Sequence, residues 1–279
     1  MPACSYHLLN VFAPSHFSGN PLAVFPDARG LDDGTMQAIA RQLNLSETTF
    51  VTPSASATAR VRIFTPEYEM PFAGHPTLGT AWLVNRLKHC NGRVTLELPA
   101  GIIPVTLDDA GATLTANPPS WRPGPARADF AAALGLSSAD LAGDPLFVDT
   151  GTEQLIVPLA DAGLLARLKP DLPRFAELSR NRQGHNQAFC WAPAEPAWLA
   201  RFLWVQQGQL AEDFGTGSAC ANLGGWLLQA GQSLPFATNI IQGHLTDRQA
   251  LIGLAIDAGQ RIQVSGQVRQ VGSGELLLP

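Results

Sequence analysis

Pro71-Phe72-Ala73-Gly74-His75-Pro76-Thr77-Leu78-Gly79-Thr80-Ala81 has an altered counterpart in Asp213-Phe214-Gly215-Thr216-Gly217-Ser218-Ala219-Cys220-Ala221-Asn222-Leu223. Each is a small, glycine-rich turn that enters a helix with almost no charge on it. Such a turn aims backbone N–H groups at one spot, where the helix dipole also favours an anion. Two of them in one chain predict two half-sites that face each other across a small acidic molecule.

The echo extends outward from the turns. Gly19-Asn20-Pro21-Leu22-Ala23-Val24 is matched by Gly151-Thr152-Glu153-Gln154-Leu155-Ile156-Val157. Glu47-Thr48-Thr49-Phe50-Val51 is loosely matched by Asn186-Gln187-Ala188-Phe189-Cys190, and Arg62-Ile63-Phe64 by Phe202-Leu203-Trp204. The same order of turn, strands, glycine turn and helix, met twice, points to duplication into two related domains rather than a solenoid.

The helices behind the turns predict the architecture. Leu78, Ala81, Trp82, Leu83 and Val84 cover more than one face, as do Ala219, Cys220, Ala221, Leu223, Trp226, Leu227 and Leu228. A helix that is apolar nearly all round must be buried on all sides. In a strand-rich chain this means strands wrapped around it. The expected fold class is α+β: two similar domains, each a β-barrel-like curved sheet around a central α-helix, related by a pseudo-two-fold. Gly79, Gly224 and Gly225 cost helix propensity, roughly 1 kcal/mol each, and are read as places where strands approach closely.

Between these landmarks the pattern reads mostly as strands. Asp32 and Asp33 precede Met36, Ile39, Ala40 and Leu43 at helical spacing, which predicts one amphipathic surface helix. Pro118, Pro119, Pro123 and Pro125 read as an interdomain linker. The domains are therefore placed at residues 1–118, completed by the C-terminal strands 267–279, and at 128–266. Ile262 to Val264, Gln267 to Val271 and Glu275 to Leu278 are read as short closing strands.

Composition narrows the function. The chain has 279 residues, 46% of them hydrophobic and 15% charged, which describes a folded protein large enough for two cores. A net charge of −5 with no Lys/Arg cluster argues against a nucleic-acid partner. No secretory signal and no run of membrane-spanning length is visible, so the expectation is a cytoplasmic protein without a membrane partner. Cys4, Cys90, Cys190 and Cys220 form no C-x-x-C, and His7, His16, His75, His89, His185 and His244 show no ligand spacing. Reduced thiols and no metal site are expected. No phosphate-binding loop is present, and Gly215-Thr216-Gly217 lacks the third glycine of a dinucleotide loop.

Gly19-Asn20-Pro21, Ser46-Glu47-Thr48-Thr49-Phe50-Val51, Arg62-Ile63-Phe64-Thr65-Pro66, Pro71 to Thr77, and Glu212-Asp213 with Thr216-Gly217-Ser218-Ala219 resemble the PhzF-like (phenazine-biosynthesis isomerase) family, over nearly the whole chain and in order. The resemblance implies a diaminopimelate-epimerase-like fold with the site between two domains, and a homodimer. It also implies cofactor-free isomerisation by proton transfer, of the trans-2,3-dihydro-3-hydroxyanthranilate type. The alternatives kept open are an epimerase or lyase on a related small acid, and a non-catalytic binder of small molecules.

From the residues alone, Glu47 reads as a solvated strand end, His75 as a helix cap or a ligand-facing group, and Asp213 as a helix-start acid. The resemblance reverses this. It places the acid/base glutamate on Glu47, a substrate-facing group on His75 and a substrate-binding acid on Asp213, with Gly74, Gly217 and Ser218 holding the substrate. A carboxyl against apolar walls can have its pKa raised enough to take and return a proton. Glu69 and Glu212 read as structural. Epimerases of this fold carry a cysteine in each turn, at positions that here read Ala73 and Thr216, so a two-cysteine racemase is excluded. The sequence departs from the PhzF-like pattern at Phe214-Gly215 and at Thr246-Asp247-Arg248-Gln249-Ala250.

Overall fold

The computed structural model describes residues 3–206 and 208–278; the outer bounds placed at residues 1 and 279 lie outside them. The chain divides into two compact units, Met1–Thr115 with Ser265–Pro279, and Ala116–Val264.

In the first unit β1 (Ala3–Val11) pairs antiparallel with β2 (Asn20–Phe25), which runs parallel to β3 (Glu47–Thr52). The surface helix α1 (Asp33–Leu43) connects those two parallel strands. The side chain of Asp32 caps it by accepting from the Thr35 N–H, and it buries Met36, Ile39 and Ala40. β3 pairs antiparallel with β4 (Ala59–Phe64), whose far edge takes both the short return strand β5 (Glu69–Met70) and, in parallel, β6 (Arg93–Leu98). The antiparallel strands β7 (Gly101–Asp108) and β8 (Gly111–Thr115) follow, and the C-terminal strand Val268–Leu277 returns to cover β1.

Helix α2 (Gly74–Lys88) buries every residue from Gly74 to Ala81, with Leu83 and Val84. This is the all-round burial its composition demands. Gly79 makes it possible: a Cβ there would lie 2.6 Å from Leu22 Cδ2 and 2.8 Å from Val11 Cγ2. The turn into β2 also requires glycine. Gly19 has φ +78°, and a Cβ would meet the Val11 carbonyl oxygen at 2.3 Å.

The second unit repeats this plan. β9 (Ser120–Pro123) pairs with β10 (Leu146–Asp149), which pairs antiparallel with β11 (Glu153–Pro158). β11 runs parallel to β12 (Gln187–Ala192), and β12 antiparallel to β13 (Trp198–Gln206). β13 takes the return strand β14 (Gln209–Asp213) and, in parallel, β15 (Phe236–Gln242), which pairs with β16 (Ala250–Ile256). Two short helices, α3 (Arg127–Ala133) and α4 (Leu172–Leu178), pack over a core of Phe130, Phe175, Leu155 and Leu203. Helix α5 (Gly217–Gln229) is the buried counterpart of α2, and its Gly224 and Gly225 face Leu254, Ile262, Val148 and Pro119.

The expected barrel-like sheets curve around the helices without closing. Two sequence expectations change. The proline stretch is no free linker, because Ser120–Pro123 is a strand of the second unit and Pro119 packs on Gly225. The terminal strands Gln267–Val271 and Glu275–Leu278 are one strand, Val268–Leu277, held continuously by β1 across an irregularity at Leu8/Leu9. Among the described residues no helix is long and apolar enough to cross a membrane.

Candidate active site

The strand registers fix which residues correspond between the units. Phe64 pairs with Thr48 and Glu69, and Leu203 pairs with Ala188 and Glu212. Glu47 therefore corresponds to Gln187, one residue along from the sequence match, and Arg62 corresponds to Arg201. An ion pair repeats with them. Arg62 grips Glu69 with Nε–Oε1 at 2.7 Å and Nη2–Oε2 at 2.6 Å, and Arg201 grips Glu212 with Nε at 3.1 Å from both oxygens. Both acids read as structural from sequence are thus tied down beside their turns.

In the first unit, Glu47 opens β3 and His75 is the second residue of α2. The structure brings these two together: His75 Nε2 lies 3.4 Å from Glu47 Oε2, with the side chains 5% and 15% exposed. That distance is longer than a charge-assisted hydrogen bond, so the pair is in contact without being locked. Burial holds the His75 imidazole down at about 3, against a weak upward pull from the Pro21 carbonyl, so the ring is neutral at ordinary pH. Fully buried Asn20 supports it, with Nδ2 at 3.4 Å from His75 Nδ1, and Ser46 Oγ reaches Asn20 Oδ1 at 3.5 Å. Deeper in, Thr49 and Thr80 share a hydrogen bond of 2.8 Å between β3 and α2. Gly74 is the buried first residue of α2. No side chain caps this helix, its first turn holds no acid, and the Thr77 hydroxyl donates to the Ala73 carbonyl instead.

In the second unit, Asp213 ends β14 and leads into α5, which also lacks a side-chain cap and an acid in its first turn. Thr216 Oγ1 donates to Asp213 Oδ2 at 2.5 Å. Ser218 Oγ accepts from Gln154 Nε2 at 3.0 Å, and Asn222 Nδ2 donates to Gln154 Oε1 at 2.8 Å. Asn222 Oδ1 accepts from both the N–H and the hydroxyl of Thr150. Gly217 is buried at the helix start. The six residues named from sequence thus form two sets: Glu47, Gly74 and His75 in the first unit, and Asp213, Gly217 and Ser218 in the second.

Sequence reading missed the supporting residues Asn20, Gln154, Asn222 and Gln242. Their only signal was type, since an amide in a strand or helix due for full burial must find partners. The buried thiols of Cys190 and Cys220 are not candidates for nucleophiles. Desolvation pushes the Cys220 thiol upward and holds Cys190 up at about 12. Among the described residues no three of His, Cys, Asp and Glu cluster as metal ligands. The first unit thus sets a largely shielded carboxyl beside a neutral imidazole at an uncapped helix start.

The chain is similar to known proteins over nearly its whole length. Residues 9–274 match the family described as phenazine biosynthesis-like protein. An uncharacterized isomerase of Pasteurella multocida is 36% identical, over 99% of this chain and 94% of its own. Trans-2,3-dihydro-3-hydroxyanthranilate isomerase of Pseudomonas fluorescens is 34% identical, over 98% and 99%. The crystal structure of a Bacillus anthracis phenazine biosynthesis protein of the PhzF family superposes with a TM-score of 0.83 over 100% of both chains, at 24% identity.

Proposed function

The chain belongs to the phenazine biosynthesis-like family, and from that premise we propose that it isomerises a small carboxylic acid of the trans-2,3-dihydro-3-hydroxyanthranilate type without a cofactor. Membership makes it an isomerase. The substrate class rests on the relative's activity, and the mechanism rests on one observation: the Glu47 carboxyl lies against a neutral, buried His75 at the open start of α2.

The chemistry needs nothing but a proton carrier and a place for charge. Glu47 as carboxylate takes a proton from carbon and becomes the neutral acid. The electron pair left behind spreads through the conjugated system to the substrate carboxylate, where N–H groups at the helix start stabilise it. Glu47 returns the proton to a different carbon, the double bond moves, and both enzyme and oxidation level are restored. His75 is kept neutral by burial, so it orients the substrate without adding a competing positive charge. Asp213 accepts from the substrate's amine or hydroxyl, and Gly217 and Ser218 offer further polar contacts. An epimerase would need a second proton carrier, and the positions where epimerases of this fold hold cysteine are Ala73 and Thr216.

The test is to supply trans-2,3-dihydro-3-hydroxyanthranilate to chelator-treated, desalted enzyme and follow the product by NMR. The expected result is a double-bond isomer of unchanged mass, formed equally fast with and without added metal or nicotinamide. No conversion, or conversion only after a cofactor is restored, contradicts the reading.

A further inference from the structure

We propose that Gln242 is a positioning residue that sets the Asp213 carboxylate through Thr216. The inference deepens the functional reading and rests on its assignment of Asp213 to the substrate.

Gln242 is fully buried at the end of β15, and the parallel pairing of β15 with β13 sets it opposite Ala200. Its amide touches the α5 turn three times. Oε1 accepts from the Thr216 N–H at 2.9 Å, and Nε2 donates to the Asp213 carbonyl and to Thr216 Oγ1, each at 2.9 Å. The orientation of the amide is forced. A backbone N–H can only donate, so the Gln242 atom facing it is oxygen, and the other atom is the NH₂ group.

Direction then passes along the chain. Thr216 Oγ1 accepts from Gln242, so its single proton is left for Asp213 Oδ2, 2.5 Å away. A charge-assisted bond of this kind holds that carboxylate oxygen in place. The backbone is tied as well, since Gln242 holds the carbonyl of Asp213 and the N–H of Thr216. Gly243 follows at φ +73°, where a Cβ would lie 2.8 Å from the Phe214 carbonyl oxygen, so the strand end passes directly against the turn. Nothing in this arrangement moves the reacting proton. Its effect falls on how well the substrate is held.

Variants at Gln242, Thr216 and Asp213 separate this from a merely structural role. Gln242→Glu keeps the shape but replaces the donor with a second acceptor, so the Thr216 hydroxyl turns toward it and away from Asp213 Oδ2. Thr216→Val keeps the volume and removes the hydroxyl, and it provides the test if the Glu variant does not fold. With trans-2,3-dihydro-3-hydroxyanthranilate as probe, both should raise KM about tenfold, the effect of one charge-assisted hydrogen bond, with kcat changed less than threefold. Thr216→Ser should restore KM. Asp213→Ala, measured alongside, separates the two failures. If it leaves KM unchanged, the assignment of Asp213 to the substrate fails and the inference falls with it. If it raises KM while Gln242→Glu and Thr216→Val do not, or while they lower kcat alone, Gln242 supports only the fold.

Discussion

Glu47 at the head of β3 has Gln187 as its counterpart at the head of β12, and His75 has Ser218, likewise the second residue of its helix. Met70, on the first return strand, is replaced by Asp213 on the second. Beneath the helices the exchange runs the same way. Gly79 rests on Leu22 in the first unit, while the equivalent Asn222 and Gln154 are hydrogen-bonded in the second. On the proposed function the duplicated frame separates two tasks. The first turn sits on Leu22 and Val11 beside the Thr49–Thr80 hydrogen bond and presents Glu47 as the proton carrier. The second sits on a network of amides and hydroxyls that titrates nowhere near neutrality and presents polar groups of fixed direction. A carboxyl that must take and return a proton is best kept from strong donors, whereas one that must hold a ligand is best fixed by them.

The largest effect should separate His75 from Ser218. His75→Ala is expected to lower kcat/KM about 100-fold, through binding and turnover together, since it opens the wall behind Glu47. Ser218→Ala should raise KM less than tenfold and leave kcat alone. Equal losses in both steady-state assays would erase the division of tasks.

The duplicated ion pairs give the next contrast. Arg201 and Glu212 are 14% and 13% exposed, against 23% and 31% for Arg62 and Glu69. Arg62 also has Asp33 as a second carboxylate partner, while Arg201 falls back on the Leu165 carbonyl. Glu212→Gln should therefore cost about 3 kcal/mol of unfolding free energy and Glu69→Gln about 1 kcal/mol. Chemical denaturation with both variants checks the ranking, and a reversed order breaks it.

The last contrast concerns pH. Above 6.5 His75 is neutral whether the chain is folded or not; below that the unfolded chain binds a proton that the folded one refuses until about 3. Stability from this site is thus complete above 6.5 and lost as pH falls, by up to ~1.4 kcal/mol per pH unit. Denaturation between about pH 6.5 and pH 4 should show a shallower slope in His75→Gln than in the parent. Ser218→Ala should leave the slope as it was.

Much of this was legible in the sequence because it is local. A glycine turn before an all-round apolar helix reads directly as a buried helix with an open start, and it is found at both Gly74 and Gly217. The duplication was visible too, although Gln187 and Arg201 show that the match was one residue out of step on two strands. What was not legible depends on strand pairing over distance. Gln242 lies 26 residues beyond Thr216, and only the parallel register of β13 and β15 brings it to the turn. Pro118, Pro119, Pro123 and Pro125 read as a spacer, yet the pairing of Ser120–Pro123 with β10 makes a strand of that stretch. Glu47 reads as a surface acid until β3 is seen beside the start of α2, where His75 meets it.

Glu47→Gln tests the central claim most directly, because the amide keeps the shape and loses only the proton transfer. With trans-2,3-dihydro-3-hydroxyanthranilate as substrate, single-turnover rate and Kd are measured for the parent and the variant. The account predicts a rate lower by about 10²–10⁴-fold with Kd within about threefold. Undiminished turnover in the variant would show that Glu47 does not carry the proton.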